Sequence, residues 1–242
     1  MTIAALDRRA AAGEQAPAVL ELCGEALHVD TSGAVWWPAQ RMLIVADLHF
    51  EKGASLASRG VLVPPYDTLT TLTALAGVMA RYRPTSVIAL GDSFHDDRVS
   101  ANLPKVLRDK LCELVDGTRW IWVAGNHDPS PPEGVGGEFI EDVTLGPLTF
   151  RHEPKAGASW GEVAGHLHPA ASVSVRGRRL RRRCAASDGE RVILPAFGAY
   201  TGGLNLRERA FDNLFNRETL AAWMLGNRAV YRVSGKRLGY GR

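Results

Sequence analysis

Cysteine is scarce. The 242 residues hold three, Cys23, Cys112 and Cys184, widely spaced, odd in number and in no metal-binding pattern. That excludes a disulfide framework and suits a reducing compartment, with each thiol expected as a small buried apolar group. Long apolar runs are missing as well: none approaches the roughly 20 residues that cross a bilayer. The opening stretch MTIAALDRRAAAGEQAP carries acidic residues and lacks the continuous apolar core of a signal peptide. A soluble, cytoplasmic chain without a membrane partner is expected. Excess charge of one sign is also small, with a formal net charge of +3, too little to imply nucleic-acid binding by itself. Repeats, low-complexity tracts and a clear interdomain linker are absent. The expectation is one domain over residues 16–242, long enough for a substantial core, after a disordered segment at 1–15.

What the chain does have is a recurring pattern. RMLIVADLHF, TSVIALGDSFHDD and WIWVAGNHD each run from an apolar stretch into carboxylate, amide or imidazole groups, as buried strands do when they deliver side chains at their C-terminal edge. Between them, Leu69, Leu72, Ala76 and Met79 recur at helical spacing, and so do Val106, Leu107, Leu111 and Leu114. These segments predict helices linking successive strands in βαβ units. Before them, AVLELCGEALHVDTSGAVWW reads as an opening hairpin. After them, FIEDVTLGPLTFRHE, GEVAGHLH, ASVSVRGRRLRRR and RVILPAFGAY read as strands. The fold class is therefore α/β followed by a β-rich half.

Five of the seven histidines, His49, His127, His152, His166 and His168, follow such apolar runs, while His28 and His95 stand apart. Asp47 and His49, two residues apart on an extended strand end, would point to one side. Asp92 adds a carboxylate able to bridge two cations, Asn126 an amide oxygen, and His152, His166 and His168 imidazoles. Mixed oxygen and nitrogen donors without thiolate suit two divalent transition-metal ions such as manganese, iron or zinc. Two such ions against two carboxylates leave a site of about +2, or about +1 with a bridging hydroxide, which attracts a phosphate group. A metal pair roughly 3.5–4 Å apart lowers the pKa of a bridging water and aligns it with phosphorus, so the reaction class is phosphoryl hydrolysis. His127, next to Asn126, is placed to stabilise the transition state or protonate the leaving oxygen, with Asp128 orienting its ring.

The ordered motifs DLH, GDSFHD, GNHD, RHE and GHLH resemble those of the calcineurin-like metallophosphoesterases. The resemblance implies a sandwich of two mixed β-sheets flanked by helices, with a dinuclear metal site at the strand ends. It assigns Asp47, His49, Asp92 and His168 to one ion and Asp92, Asn126, His152 and His166 to the other. Longer stretches, VADLHFEKG, HEP, GHLHPA and LPAFGAYTGGLN, are similar to the bacterial ligase-associated DNA damage response endonucleases. That narrower likeness implies a manganese-dependent DNA phosphodiesterase acting on single strands, associated with an ATP-dependent ligase and a helicase. The GDxxDRG pattern of protein phosphatases is not followed: His95 stands at its second aspartate position and no Arg-Gly follows. His95 is a substrate contact or a loop hydrogen-bonding residue.

The run GHLHPAASVSVRGRRLRRRC reads as a hairpin turning near Gly177, with Arg179, Arg181 and Arg183 alternating onto one face. At about 3.3 Å per residue, five to ten residues carry these arginines about 15–30 Å from His168. They form a strip for a phosphate backbone, or a charged edge strand kept from aggregating. Tyr200 and Asn205, in a glycine-rich segment that can approach the site through its backbone, are further candidate substrate contacts or parts of a plain turn. Trp36, Trp37, Trp120, Trp122, Trp160 and Trp223 can stack on bases in principle, but Trp120 and Trp122 lie on a strand expected to be buried. Two other functions use the same residues: hydrolysis of cyclic nucleotides or other small phosphate esters, and a non-catalytic binding scaffold.

Overall fold

The structure is a computed structural model and describes residues 18–58, 60–61, 63–95 and 103–240. The segment 1–15 and Asp96 and Asp97 of the second motif lie outside the described residues. No described helix is long and apolar enough to cross a membrane.

The first half forms a sheet whose strands pair in chain order: β1 (Ala18–Leu22), β2 (Glu25–Val29), β3 (Val35–Trp37), β4 (Met42–Val45), β5 (Ser86–Leu90), β6 (Arg119–Val123) and β7 (Glu138–Ile140). The expected opening hairpin is the antiparallel β1–β2 pair, continued by β3. From β4 to β7 the pairing is parallel, which requires crossovers. Helices α1 (Lys52–Ser58) and α2 (Asp67–Tyr82) make the first, and α3 (Lys105–Asp116) the second. The second sheet holds β8 (Asp142–Leu145), β9 (Leu148–Arg151), β10 (Glu162–Ala164), β11 (Pro169–Val175), β12 (Arg178–Ser187), β13 (Arg191–Ile193) and β14 (Leu204–Asn205), in the order β14-β11-β12-β13-β10-β9-β8. Strands β15 (Ala221–Leu225) and β16 (Val230–Ser234) branch from β12.

Strand alternation sorts the apolar residues into layers. Met42 and Ile44, Ile88 and Leu90, and Ile121 and Val123 face the second sheet, meeting Phe150, Val163, Val192 and Trp223. Their neighbours Leu43, Val45, Val87, Ala89, Trp120 and Trp122 face the helices, against Leu72, Leu75, Val78, Leu111 and Val115. Strands buried on both faces read as unbroken apolar runs, which is why β4, β5 and β6 stood out in the sequence. Each fully buried large side chain contributes about 1.5–3 kcal/mol.

The helical faces differ from the sequence reading. Leu69 and Val106 are exposed, while α2 buries Asp67, Thr68 and Thr71 with Leu72, Leu75 and Val78. The cause is polar. Asp67 Oδ2 accepts from the Gly53 amide at 2.9 Å, and Thr68 Oγ1 accepts from the Glu51 amide at 2.7 Å. These bonds turn the first residues of α2 toward the loop after β4 and leave Leu69 facing solvent. Elsewhere the β-rich half encloses an ion pair, Arg191 Nε to Glu162 Oε2 at 2.5 Å, in which each side chain is 1% exposed.

Candidate metal centre

The loops that follow β4 and β5 run side by side. Asp47 N donates to Gly91 O, His49 N to Asp92 O and Phe50 N to Ser93 O. This pairing carries the two motifs past the sheet edge. The expectation that Asp47 and His49 converge through strand alternation is corrected: β4 ends at Val45, and both residues adopt positive φ, 53° and 45°. Asp92, His166 and His168 do the same, at 46°, 67° and 45°. Non-glycine residues in this region cost on the order of 1–3 kcal/mol each and collect at functional sites. Glycines supply the remaining room. A Cβ on Gly91, itself at φ 68°, would lie 2.5 Å from the His152 ring, and one on Gly125 would lie 2.1 Å from the Asp92 amide.

The result is two groups of donors. Ligand atoms of Asp47, His49 and His168 lie within 4.8 Å of one another, as do those of Asp92, His152 and His166. His49 Nε2 faces His168 Nε2 at 3.4 Å, and His168 Nε2 is 3.1 Å from Asp47 Oδ1. In the other group His152 Nε2 is 3.1 Å from His166 Nδ1 and 2.9 Å from Asn126 Oδ1. His152 Nε2 also approaches Asp92 Oδ1 at 3.4 Å, while Asp92 Oδ2 lies 3.8 Å from His49 Nε2. Asp92 thus stands between the groups. Two ring nitrogens facing each other share at most one proton, whereas a cation satisfies both. Donors about 3.0–3.4 Å apart also suit ions with bonds of roughly 2.1 Å. The donor set fits a dinuclear centre.

The electrostatics agree. Burial works against ionising Asp92, but the hydrogen bond and charge of His152, the His127 amide and His49 hold its carboxyl far below the usual range. Burial opposes a charge on His152 too, yet Asp92, Asp47 and the Leu90 carbonyl raise its pKa to about 9. Burial, followed by the Lys52 charge, lowers His49 to about 2. Lys52 is half-buried and feels Asp47 and Asp92. Sequence reasoning assigned it no role, although the Glu-Lys-Gly that follows the DLH motif was the available signal.

The remaining candidates fall in different places. His127 donates its amide to Asp92 Oδ1 at 2.9 Å, and its half-exposed ring reaches Asp92 Oδ2 only at 3.9 Å. His95 does not stand apart: its ring stacks on His127 at 5.1 Å and lies 5.6 Å from His49. Asp128 does not orient His127. Its Oδ2 accepts from the Ser93 and Phe94 amides, and Oδ1 has no hydrogen-bond partner, so it braces the loop bearing Asp92. Burial, with the charge of Asp92, raises its pKa to about 7.

Asn205 is also corrected. It is 1% exposed, its Nδ2 donates to Ser172 Oγ and its Oδ1 accepts from the Arg207 amide, so it holds a turn and is closed to substrate. Tyr200 donates its hydroxyl to Pro64 O at 2.8 Å. The glycine-rich segment does approach the site through its backbone: Phe197 N donates to Ala46 O, Gly198 N to Asp47 O and Leu204 N to His168 O.

The arginine hairpin is β11–β12, turning at Arg176 and Gly177, both at positive φ. Because β12 runs back toward the centre, Arg183 pairs with Ala170, Arg181 with Ser172 and Arg179 with Ser174. Arg183 is therefore the nearest to His168, about 7 Å along the strand, with Arg181 at about 13 Å and Arg179 at about 20 Å. The count along the chain, about 15–30 Å, therefore overstates the distance of Arg183 and Arg181. All three donate to backbone carbonyls, of Tyr240, Gly203 and Ala196 in chain order. Of the six tryptophans, Trp160 alone is well exposed, at 69%.

A parallel sheet edge packed on a second sheet, with two donor groups sharing one aspartate between them, defines a metal-dependent phosphoesterase, a hydrolase of phosphate esters. The chain belongs to the calcineurin-like phosphoesterase family, whose model matches residues 40–235. Its structure is similar to that of the nuclease MPE of Pseudomonas putida, 28% identical in sequence, with a TM-score of 0.69 over 90% of this chain and 100% of that one. A weaker likeness is to Yfce, a phosphoesterase from E. coli, 16% identical, with a TM-score of 0.39 over 80% of this chain and 98% of that one. No protein with a curated description matches the chain in sequence.

Proposed function

We propose that this phosphoesterase hydrolyses DNA phosphodiester bonds as a single-strand-preferring endonuclease in DNA repair, using manganese. In this reading a single domain over 16–242 acts in the cytoplasm, in functional association with an ATP-dependent ligase and a helicase. The observation that carries the substrate is the likeness to the Pseudomonas nuclease, which spans the whole of that protein. The arginine strip supports it, since guanidinium groups bind phosphate bidentately and keep their charge.

Asp47, His49 and His168 would hold one ion and Asn126, His152 and His166 the other, with Asp92 placed to serve both. When bound, the ions supply an activated water and neutralise charge developing on the phosphate oxygens. His127 stands at the open side of the centre, where its ring stabilises the transition state or gives a proton to the leaving oxygen. His95, stacked on it, keeps that ring upright over the site and borders the substrate. Lys52 adds a cation to the phosphate pocket, and Arg183, Arg181, Arg179 and Tyr200 contact the strand beyond it.

Manganese-dependent digestion of circular single-stranded DNA, compared with a linear duplex, tests this, since a circle can be cut only internally. Cutting of the circle that is lost in His127→Ala is the expected result. Hydrolysis of bis(p-nitrophenyl) phosphate with no cleavage of DNA would replace DNA by a small phosphate ester as substrate.

A further inference from the structure

The molecule has a cavity of about 690 Å³ that is lined by none of the donors of the metal centre but is reached by Arg181 and Arg183 of the arginine strip. Its walls come from the Asp30–Ser32 turn, the middle and end of α2, β12 and the β15–β16 turn. Four of the lining residues are arginines, Arg81, Arg181, Arg182 and Arg183, against one carboxylate, Asp30. Asp30 is already engaged: it accepts from Arg81 at 2.5 Å, from the Tyr82 hydroxyl at 2.9 Å and from the Ser32 amide at 2.8 Å. The other three guanidinium groups donate to backbone carbonyls, and no carboxylate pairs with them among the described residues.

Adjacent arginines on a strand normally diverge, because alternate side chains leave by opposite faces. Here all three reach one cavity because β12 has a free edge at this point. Its pairing with β15 begins at Cys184 and Met224, so Arg182 from one face and Arg181 and Arg183 from the other both lie beside the opening. On the α2 side Ala74 and Gly77 line the space, and a Cβ on Gly77 would meet nothing within 4 Å. Arg183 is half-buried, and burial lowers its pKa. Gathered like charges that outnumber the one carboxylate, itself already engaged by Arg81, attract an anion. The volume lies within the range of about 300–1,000 Å³ that holds small ligands.

We propose that this cavity is a second phosphate-binding site, which takes backbone phosphates of the nucleic-acid strand whose scissile bond lies at the metals. The proposal rests on the DNA reading above. Arg183 links the two places: its Nη1 donates to Ala196 O at 2.7 Å, and two residues on, Gly198 donates its amide to Asp47 O. A strand leaving the metals past Arg183 meets Arg181 and Arg182 next, then Arg81 on α2. The cavity thereby fixes the direction in which the uncut strand runs.

The test is fluorescence anisotropy of a phosphorothioate single strand, which resists cleavage, on the full chain loaded with manganese. Arg182→Glu and the milder Arg182→Gln are compared with the wild type across a salt series. Each variant is accepted as folded if its Tm stays within about 2 °C of the wild type, the range of a surface substitution. The expected result is binding weaker by about tenfold in Arg182→Glu and less in Arg182→Gln, with the slope of log affinity against log salt reduced by about 0.7 for the lost contact. Unchanged affinity and slope in both variants, with DNA still cut by the wild type, would overturn the cavity assignment and leave the DNA reading standing. If the wild type neither holds nor cuts DNA, the DNA reading itself fails. A 5′-mononucleotide that then raises the Tm of the wild type but not of Arg182→Glu would assign the cavity to a free phosphate compound and overturn the strand proposal.

Discussion

Loading the centre with metal must expel a proton from His152. Both ring nitrogens of His152 face acceptors, Nδ1 the Leu90 carbonyl at 2.9 Å and Nε2 the Asn126 amide oxygen at 2.9 Å. An imidazole between two acceptors carries two protons. This agrees with a pKa of about 9, where Asp92, Asp47 and the Leu90 carbonyl outweigh burial. A metal ion needs a lone pair, and the Leu90 carbonyl retains the Nδ1 proton, so Nε2 must lose its own. At pH 7.5 the release is about one proton per protein, at a cost of about 2 kcal/mol for a group held 1.5 units above that pH. Affinity for the ion at this group should therefore rise about tenfold per pH unit until pH 9 is reached. Calorimetric titration of manganese in two buffers of different ionisation enthalpy counts the proton directly. A count near zero, with stoichiometric metal bound, would refute the reasoning, because it would mean that Asp47 and Asp92 do not hold a charge on His152.

The same proton sets the pH dependence of the metal-free fold. A histidine whose pKa is raised by folding stabilises fully below its unfolded value of about 6.5, and that contribution is lost as pH climbs to about 9. Asp128, raised to about 7, acts in the same direction, since its ionised form is disfavoured in the fold and stability falls between about pH 4 and 7. The Tm of the metal-free protein should thus decline from pH 5 to 9, while the gain in Tm on adding manganese should grow.

His127→Ala should lower turnover by about 10²–10⁴-fold with metal content unchanged by elemental analysis, because the ring lies outside both donor groups. Gly91→Ala places a methyl 2.5 Å from the His152 ring at a φ of 68°, so metal affinity measured by chelator competition should fall about 10–100-fold. Arg191→Met removes the closer of the two guanidinium groups on the buried Glu162 carboxylate and leaves Arg151 at 3.5 Å as its remaining cation, a loss of up to about 3–5 kcal/mol. Scanning calorimetry should then show a Tm lower by up to about 6–20 °C for a chain of this size.

The parts legible in the sequence are those in which residue type alone decides position. Strands β4, β5 and β6 are buried on both faces, so their apolar runs are unbroken, and the polar residues that follow have only the sheet edge to occupy. Asp47, His49, Asp92 and Asn126 follow these runs, and His152, His166 and His168 from the second sheet lie beside them in the two donor groups. What escaped depends on contacts made after the chain turns back. His95 has no apolar run before it that aims it at the metals; it arrives because its amide bonds Phe50 O in the neighbouring loop. Asp128 follows His127 directly and was read as its partner, but a loop that bends there sends its carboxylate to two amides instead. Asn205 resembles a surface amide in the sequence and becomes a buried clasp only when β14 lies beside β11. The count along the chain put all three arginines about 15–30 Å from His168, because such a count ignores the antiparallel return of β12 that sets Arg183 opposite Ala170.

The backbone of the centre carries the part of its design that residue type conceals. Asp47, His49, Asp92, His166 and His168 all occupy the left-handed region, where a side chain is unfavourable and glycine would fit with less strain. Glycine has no donor, so the site requires a costly residue at each of these positions. What holds them there is the sheet edge and not the ions alone: Gly91 O and Gly198 N grip Asp47, the Asp92 carbonyl grips His49, and Leu204 N grips the His168 carbonyl. Each grip comes from a neighbouring ligand loop or from the glycine-rich segment. Backbone bonds of the fold thus hold the donors in place, and side chains fixed in this way spend less of a ligand's binding energy on ordering the loops.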